Sequence, residues 1–272
     1  MIPDLLDSLI RPAAYARFAG EKGSRTTAYV AFLSLIFVGS IGIAVKLRLA
    51  PLFAETFVWL ETSMPVLTFA NGTVTSSAPA PLRLEHPRMK EVALMIDTSR
   101  KDPVAFSQMT DAKVLAYLTS NTLYLKRGGD EKGDLETIDL SKSASDRPVT
   151  VDANSYKDME RAFDWVFYPG LMLFFFLTFA VSLAFCGLVY ALIGMVMASA
   201  AGGSLSFAAL LRIAVHAQTA GSLLYALDSI LPSSIPFFQI ASILLSLATL
   251  WFGVRAAVRA PAPAPEPPAP AK

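Results

Sequence analysis

An arginine, a histidine and a threonine interrupt an apolar stretch near the C-terminal end, where they could bind an ion or carry a proton. The stretch reads LLRIAVHAQTAGSLLYALDSI, residues 210–230. Arg212, His216 and Thr219 are separated by four and three residues, so a helix places them on one face. Histidine titrates near neutral pH, and ionisable groups within membrane helices face protein or water. The spacing therefore indicates either a polar intramembrane site or a polar packing face.

The two interpretations differ in what surrounds His216. In the first, His216 is the centre of a proton-linked switch, supported by Arg212, Thr219 and by Gln239 on the next apolar segment. In the second, these side chains form hydrogen bonds between helices and hold a bundle together. The sequence favours the second, because one histidine and one arginine do not describe a polar route across a membrane. On this interpretation, His216→Leu is expected to leave stability nearly unchanged.

Composition excludes several kinds of chemistry. The chain has one cysteine, Cys186, and two histidines, His86 and His216, so it cannot form a disulfide framework or the usual zinc ligand sets. Its formal net charge of +1 and its scattered Lys and Arg residues give no surface for nucleic acid. We expect no metal, no cofactor and no nucleic-acid partner.

Four apolar segments predict four transmembrane helices. They cover residues 27–45, 165–200, 210–230 and 237–254, and each is long enough for a hydrocarbon core of roughly 30 Å. The second segment exceeds one perpendicular crossing and predicts either one long tilted helix or a broken one. Basic residues precede the first segment and follow the last. The positive-inside rule therefore places both termini in the cytoplasm and residues 46–164 outside it.

Small residues recur along the second segment at alternating spacings of four and three, which lets a helix present them as one packing seam. The fourth segment repeats the spacing with mostly polar residues, and we expect the two seams to pack a compact bundle. The seam of the second segment consists of Ala180, Ala184, Gly187, Ala191, Gly194 and Ala198, continuing to Ala201. The seam of the fourth consists of Gln239, Ser242, Ser246, Thr249 and Gly253.

The region between the first two segments predicts a β-rich domain. Asn71-Gly72 lies between β-prone runs and indicates a hairpin, residues 91–99 indicate a buried strand, and residues 112–128 indicate two strands joined by a turn. Short patterns predict a flexible loop over residues 128–133 and a further strand after it. A helix with Asn154 or Ser155 as N-cap then leads into the second segment.

Catalytic patterns are missing from this domain. Ser99 follows a predicted strand in Asp97-Thr98-Ser99 but lacks a nucleophile-elbow context, and His86 stands beside a proline with no recognisable partner. The Asp-Thr-Ser sequence is typical of a turn. We therefore assign no catalytic residue.

The order of these elements resembles a family of bacterial membrane proteins. The resemblance rests on the basic N-terminus and first span, PVLTFANGTV, a strand ending IDTS, a strand pair leading to YLKRG, and SFAALLRIAVHAQTAGSLL in the last three spans. It is to domain-of-unknown-function family 1189, over roughly residues 5–256. The last three spans also look distantly like the Yip-type membrane domain, with Leu-Leu-Arg opening a helix after a small-residue loop. Neither family implies catalytic residues.

The expected fold class is an α-helical membrane bundle of four transmembrane helices with an inserted extracytoplasmic β-rich α+β domain. The resemblance implies the bacterial inner membrane. The expected parts are a cytoplasmic segment (residues 1–26), the first transmembrane helix (27–45), the extracytoplasmic domain with an amphipathic first segment and an exit helix (46–164), a three-helix membrane domain (165–256) and a disordered Ala/Pro-rich cytoplasmic tail (257–272).

These features predict a non-enzymatic scaffold, sensor or accessory protein that couples the outer domain to the bundle. Its expected partners are the lipid bilayer and another membrane or periplasmic protein, with a homo-oligomer left open. The alternative is a small transporter or channel subunit that uses the face carrying Arg212 and His216. A membrane-associated hydrolase is a distant third hypothesis.

Overall fold

The computed structural model describes residues 1–89, 92–127, 133–143, 147–233 and 236–260. Residues 128–132 of the predicted flexible loop and residues 261–272 of the predicted tail lie outside these residues. The prediction of disorder from residue 257 was wrong for residues 257–259, which belong to the last helix. The chain divides into two compact units. We call Met1–Leu47 with Pro169–Lys272 the helical unit, and Arg48–Tyr168 the sheet unit.

The described residues form nine α-helices. Four stretches, Gly23–Arg48, Ala153–Ala200, Phe207–Ile230 and Phe238–Arg259, are long and apolar enough to cross a membrane, as the sequence predicts. The helices are α1 (Ile2–Ile10), α2 (Ala14–Gly20), α3 (Gly23–Arg48), α4 (Ala50–Ser63), α5 (Phe106–Asp111), α6 (Ala153–Ala200), α7 (Phe207–Ala217), α8 (Thr219–Ile230) and α9 (Phe238–Arg259).

The second apolar segment lies within one continuous helix of 48 residues, α6, with Pro169 inside it. This helix begins at Ala153, so Asn154 and Ser155 are inside it and the N-cap prediction was wrong by two to three residues. Asp152 caps it: the Asp152 carboxylate accepts from the Ser155 amide at 2.9 Å, and the Ser155 hydroxyl accepts from the Asp152 amide at 3.2 Å. Hydrogen bonds from the Ser155 amide and hydroxyl lower the pKa of Asp152.

The third apolar segment is two helices, α7 and α8, instead of the single helix that periodicity predicts. Gln218 separates them. Side-chain hydroxyls bond to the carbonyls beside this break: Thr219 Oγ1 donates to His216 O at 2.7 Å, and Thr249 Oγ1 donates to Ala217 O at 2.7 Å. Such bonds make an interrupted helix tolerable inside an apolar bundle. Hydrophobic periodicity cannot detect the break, because the apolar pattern continues through it.

The N-terminal residues form part of the helical core, whereas the sequence predicts only a cytoplasmic segment there. Tyr15 and Phe18 on α2 are 2% and 0% exposed. They pack in one cluster with Ala191 of α6, Ile213 of α7 and Leu250 of α9. α2 therefore fills the space among three of the long helices.

The seam of small residues on α6 packs along part of its predicted length. Gly187, Ala191, Gly194 and Ala198 are buried. A Cβ atom on Gly187 would lie 3.3 Å from Val215 Cγ2, and one on Gly194 would lie 3.3 Å from Leu210 Cδ2, so α7 approaches closely here. Of the three remaining members of the predicted seam, Ala180 and Ala201 are half-buried and Ala184 is exposed.

The polar seam of α9 packs against α8 and α2. Ser242 Oγ donates to Gly221 O at 3.2 Å, and a Cβ atom on Gly221 would lie 2.5 Å from Ser246 Oγ. A Cβ atom on Gly253 would lie 2.5 Å from the ring of Tyr15. Glycines at these two positions therefore let neighbouring helices meet at backbone distance.

The described residues of the sheet unit form two sheets. One has the strand order β2-β1-β8 and is antiparallel, and the other has the order β3-β4-β5-β6-β7 with a single parallel pair, β4 and β5, joined through α5. The strands are β1 (Leu67–Ala70), β2 (Thr73–Ser76), β3 (Leu82–Glu85), β4 (Ala93–Ile96), β5 (Ala116–Leu118), β6 (Thr122–Arg127), β7 (Asp134–Asp139) and β8 (Val149–Val151).

Most of the predicted strands are confirmed. Asn71 and Gly72 have φ values of 52° and 72° and join β1 to β2, which is the backbone of a type I′ hairpin turn. The pair predicted within residues 112–128 is the antiparallel hairpin of β5 and β6. Two apolar clusters form the core of this unit, one around Met109 and Val114 and one around Leu67.

Candidate functional site

The imidazole of His216 is enclosed in the helical unit beside a carboxylate. His216 Nε2 lies 2.9 Å from Glu21 Oε1, with the two side chains 1% and 6% exposed. The ring of Phe18 stacks on the imidazole, with centroids 3.8 Å apart and planes 9° apart. The ring of Tyr29 covers it from a centroid distance of 4.1 Å. We call this arrangement the His216–Glu21 pair.

Three helices position the pair. His216 is in the last turn of α7, Phe18 is near the end of α2, and Tyr29 is in the second turn of α3. Glu21 is the residue at which α2 ends, in the short connection to α3. The connection from α2 to α3 therefore directs the carboxylate of Glu21 into the bundle.

Two further groups bind the Glu21 carboxylate. Thr26 Oγ1 donates to Oε1 at 3.1 Å, and Arg25 Nε lies 3.5 Å from Oε2. A buried carboxylate requires such donors, because an unpaired charge in an apolar environment costs several kcal/mol. Together with His216, these groups satisfy both oxygens of Glu21.

A chain of hydroxyl groups runs beside the pair. Tyr29 Oη lies 2.8 Å from Thr219 Oγ1 and 3.3 Å from Ser8 Oγ. Tyr15 Oη donates to the carbonyl of Ser8 at 2.8 Å. These bonds join α1 and α2 to α3 and to the start of α8.

An ionic cluster anchors α1 next to this chain. Asp4 is 1% exposed. Its carboxylate lies 2.9 Å from Arg25, 3.0 Å from Arg17 and 3.3 Å from the amino group of Met1. Burial alone would raise the pKa of Asp4, but hydrogen bonds from Arg25 and the amino group outweigh it and lower that pKa. Asp4 is therefore held as a carboxylate.

The structure places the four predicted site residues in three different environments. His216 and Thr219 belong to the pair and the hydroxyl chain. Arg212 lies one turn before His216 on α7 and donates to the carbonyl of Ala19 at 2.9 Å, near the end of α2. Gln239 lies at the start of α9 and lines a separate cavity with Tyr225 and other residues. The predicted support of His216 by Gln239 is thus replaced by Glu21.

The geometry suits a neutral imidazole. A carboxylate only accepts hydrogen bonds, so Nε2 of His216 carries the proton that Glu21 receives. The other ring nitrogen, Nδ1, is buried with no hydrogen-bond partner in the part of the chain that the structure describes. A bare lone pair there costs less than a bare N–H on a charged ring. The contact can hold α7 against the end of α2. Transfer of the proton on Nε2 would change this contact.

No group of three or more His, Cys, Asp or Glu side chains that could hold a metal ion occurs among residues 1–89, 92–127, 133–143, 147–233 and 236–260.

The two residues of the sheet unit that the sequence analysis considered for catalysis, His86 and Ser99, have structural partners. His86 is 1% exposed, and its Nδ1 accepts from the amides of Arg88 and Met89 at 3.2 and 3.1 Å. Its Nε2 lies 3.2 Å from Thr56 Oγ1. Ser99 is in the predicted turn, and its hydroxyl donates to Asp97 at 2.6 Å.

Sequence reasoning missed Glu21 and the aromatic residues around His216. A signal was present, because Tyr15 and Phe18 are three residues apart on a short helix, and their aromatic side chains favour a buried face. Glu21 gave no signal, since a lone carboxylate beside lysine and arginine is typical of a solvated surface. Only the fold brings it to His216.

Comparison with known protein families identifies a match over most of the chain. A model of family DUF1189, described as a protein of unknown function, matches residues 3–254. The Yip-type resemblance is not shown. No curated protein and no solved structure matches the chain significantly.

Proposed function

Since the chain belongs to the DUF1189 family, whose function is unknown, we propose its function from its geometry. It is a non-enzymatic scaffold or sensor protein of the bacterial inner membrane, and it couples an extracytoplasmic sheet unit to a bundle of membrane helices. The observation that carries this proposal is the continuity of α6. This helix contributes residues to both units without interruption.

The first part of α6 is fixed within the sheet unit. Phe163 stacks on Phe167 at 4.4 Å and meets Phe53 of α4 at 5.0 Å. Lys157 forms an ion pair with Glu61 of α4 at 2.9 Å. The aromatic contacts are each worth about 1 kcal/mol beyond burial, so α4 and this part of α6 form one packed element.

The second part of α6 is fixed within the helical unit. Ala191 and Ala198 are 0% and 2% exposed in the core cluster, and Gly187 lies against α7. Because both parts belong to one helix, a rotation or shift imposed on the sheet unit reaches the bundle through hydrogen-bonded backbone. This is the property that a coupling element requires.

A membrane location is supported by the exposed apolar side chains of α6. Val181 is 68% exposed, Phe185 65% and Val196 72%. A water-soluble helix would bury such residues, whereas lipid solvates them. The basic residues that precede α3 and follow the apolar part of α9 support cytoplasmic termini.

The environment of His216 favours a structural role over transport. A transport site needs access from water, and polar groups that line a path. His216 is instead 1% exposed and is covered by the rings of Phe18 and Tyr29. The polar face therefore supports helix packing around an N-terminal segment.

Affinity purification in a mild detergent tests the scaffold proposal. The protein is expected to co-elute with a defined membrane or periplasmic protein in near-stoichiometric amount. Absence of any such partner, together with solute uptake by proteoliposomes of the purified protein, would favour a transporter instead.

The coupling role is tested by changing the phase of α6. Insertion of two alanines between Gly170 and Leu171, just past the last residue of the sheet unit, rotates the two parts of the helix by about 200° relative to each other, and insertion of seven restores the phase to within about 20°. We expect the first variant to lose the partner and the second to keep it. Equal retention by both variants would contradict coupling through α6.

A further inference from the structure

A groove in the helical unit lies between α3, α6 and α7, and its volume is about 390 Å³. It is separate from the His216–Glu21 pair, although Val215 precedes His216 on α7. The lining residues are Gly23, Thr26, Thr27 and Val30 of α3, Ala184 and Leu188 of α6, and Ala208, Leu211, Arg212 and Val215 of α7.

The polar groups of this groove come from the first turns of α3 and from α7. Arg212 is partly buried and donates one of its five N–H groups to the carbonyl of Ala19. Thr26 and Thr27 add two hydroxyl groups from the first turn of α3. These hydroxyls donate to Glu21 and to the carbonyl of Gly23, so their oxygens can still accept hydrogen bonds. Arg212 therefore supplies the donors that a ligand would meet.

The Glu21 carboxylate, which accepts a hydrogen bond from Thr26 at this polar end, is already compensated. Glu21 Oε1 receives hydrogen bonds from His216 and Thr26, and Oε2 lies near Arg25. The charge that remains for a ligand is thus the positive charge of Arg212, reinforced by the positive end of the α3 dipole.

The rest of the groove is apolar and open. Val30, Leu211 and Val215 form its wall, while Leu188 is 45% exposed and Ala184 is exposed. Ala184 is also a member of the predicted packing seam of α6, and it is exposed instead of packed against a neighbouring helix. A cation at one end and a partly exposed aliphatic wall beside it match a ligand with an anionic head and a hydrocarbon chain.

We propose that this groove binds one anionic phospholipid. The phosphate lies against Arg212 and an acyl chain lies along Leu188, Leu211 and Val215. A free phosphate ion would leave the aliphatic wall without a partner, and a choline headgroup would bring a second cation towards the guanidinium. The inference rests on the membrane location in the proposed function but not on the coupling role.

Lipid retention tests the proposal. The full chain is reconstituted in nanodiscs with equimolar phosphatidylglycerol and phosphatidylcholine, extracted in detergent, and its bound lipid is measured by mass spectrometry. We expect phosphatidylglycerol to be enriched in the wild type. Arg212→Gln should lower that retention by about tenfold, because a charge-assisted hydrogen bond to the phosphate is lost. Arg212→Lys should restore most of it.

Two further variants separate binding from folding. Ala184→Trp fills the apolar part of the groove from an exposed position, and it should reduce retention while leaving thermal unfolding unchanged. Arg255→Gln removes an exposed arginine of α9 outside the groove and should change nothing. Excess inorganic phosphate should not displace the lipid.

Three results would overturn the inference. They are equal retention of the two lipids, undiminished retention by Arg212→Gln and Ala184→Trp, or displacement by inorganic phosphate alone. None of these results bears on the co-eluting protein partner, so the lipid site and the scaffold role fail independently.

Discussion

His216 Nε2 and Glu21 Oε1 lie 2.9 Å apart although 195 residues separate them in the chain. This contact closes the helical unit, since Glu21 ends α2 and His216 is in the last turn of α7. The aromatic rings of Phe18 and Tyr29 exclude water from it. A polar contact in such surroundings stabilises the fold only while both partners are present, because a single partner would remain buried and unpaired.

The first prediction concerns this mutual dependence. His216→Leu leaves the Glu21 carboxylate buried with Thr26 and Arg25 alone, and we expect the free energy of unfolding to fall by about 3 kcal/mol. This revises the expectation from the sequence, where no partner of His216 was visible. The double variant His216→Leu/Glu21→Leu should lose less than the two single variants combined, as measured by denaturant titration in detergent. Strict additivity would show that the contact contributes no coupling energy.

The second prediction concerns Asp4 and pH. Its lowered pKa means that Asp4 stabilises the fold fully above the unfolded-state value of about 3.9, and that this contribution is lost as the pH falls through the lower folded-state value. Asp4→Asn should cost about 1–2 kcal/mol at pH 7 through its lost charge-assisted hydrogen bonds. The wild type and the variant should converge in stability once the pH has fallen below the folded-state pKa of Asp4. Thermal melts across this pH range measure the difference in stability between the wild type and the variant. A difference that does not change with pH would show that the prediction is wrong.

The third prediction compares two glycines. A Cβ atom on Gly221 would meet Ser246 Oγ at 2.5 Å and Ser242 Oγ at 2.8 Å, whereas one on Gly39 of α3 would meet nothing within 4 Å. Gly221→Ala should therefore destabilise the packing of α8 on α9 by about 1–3 kcal/mol. Gly39→Ala should be neutral or stabilise by up to about 1 kcal/mol, because alanine favours the helix. Similar melting temperatures for both variants would argue against the close approach of α8 and α9.

The fourth prediction concerns topology. After Cys186→Ser, a single cysteine at Asp102 or at Lys22 reports the side of the membrane, because both positions are exposed. In cells with a permeabilised outer membrane, a charged maleimide should label Asp102→Cys at once. It should label Lys22→Cys only after the inner membrane is opened. The reverse labelling pattern would contradict the proposed orientation.

The elements that follow local rules were predictable from the sequence. The four apolar helices, the Asn71-Gly72 hairpin and the hairpin of β5 and β6 each depend on a pattern within a short window. The break at Gln218 was not predictable, because the hydroxyls that compensate it come partly from Thr249 on another helix.

The surroundings of the candidate site were predictable only in part. Arg212, His216 and Thr219 were selected because they share a helical face, but their partners come from the first 30 residues. A pairing across 195 residues leaves no trace in local periodicity. The same applies to Ala184, whose exposure depends on where α3 and α7 separate.

The burial of α2 has a consequence for biogenesis. Tyr15 and Phe18 are synthesised well before their packing partners Ile213 and Leu250, because the chain is made from its N-terminal side. Until these partners have been made, Tyr15 and Phe18 lack the side chains against which they pack in the final bundle. The core around α2 can therefore be completed only after α9 has been made, and a chain truncated before α9 leaves these aromatic groups without part of their packing surface.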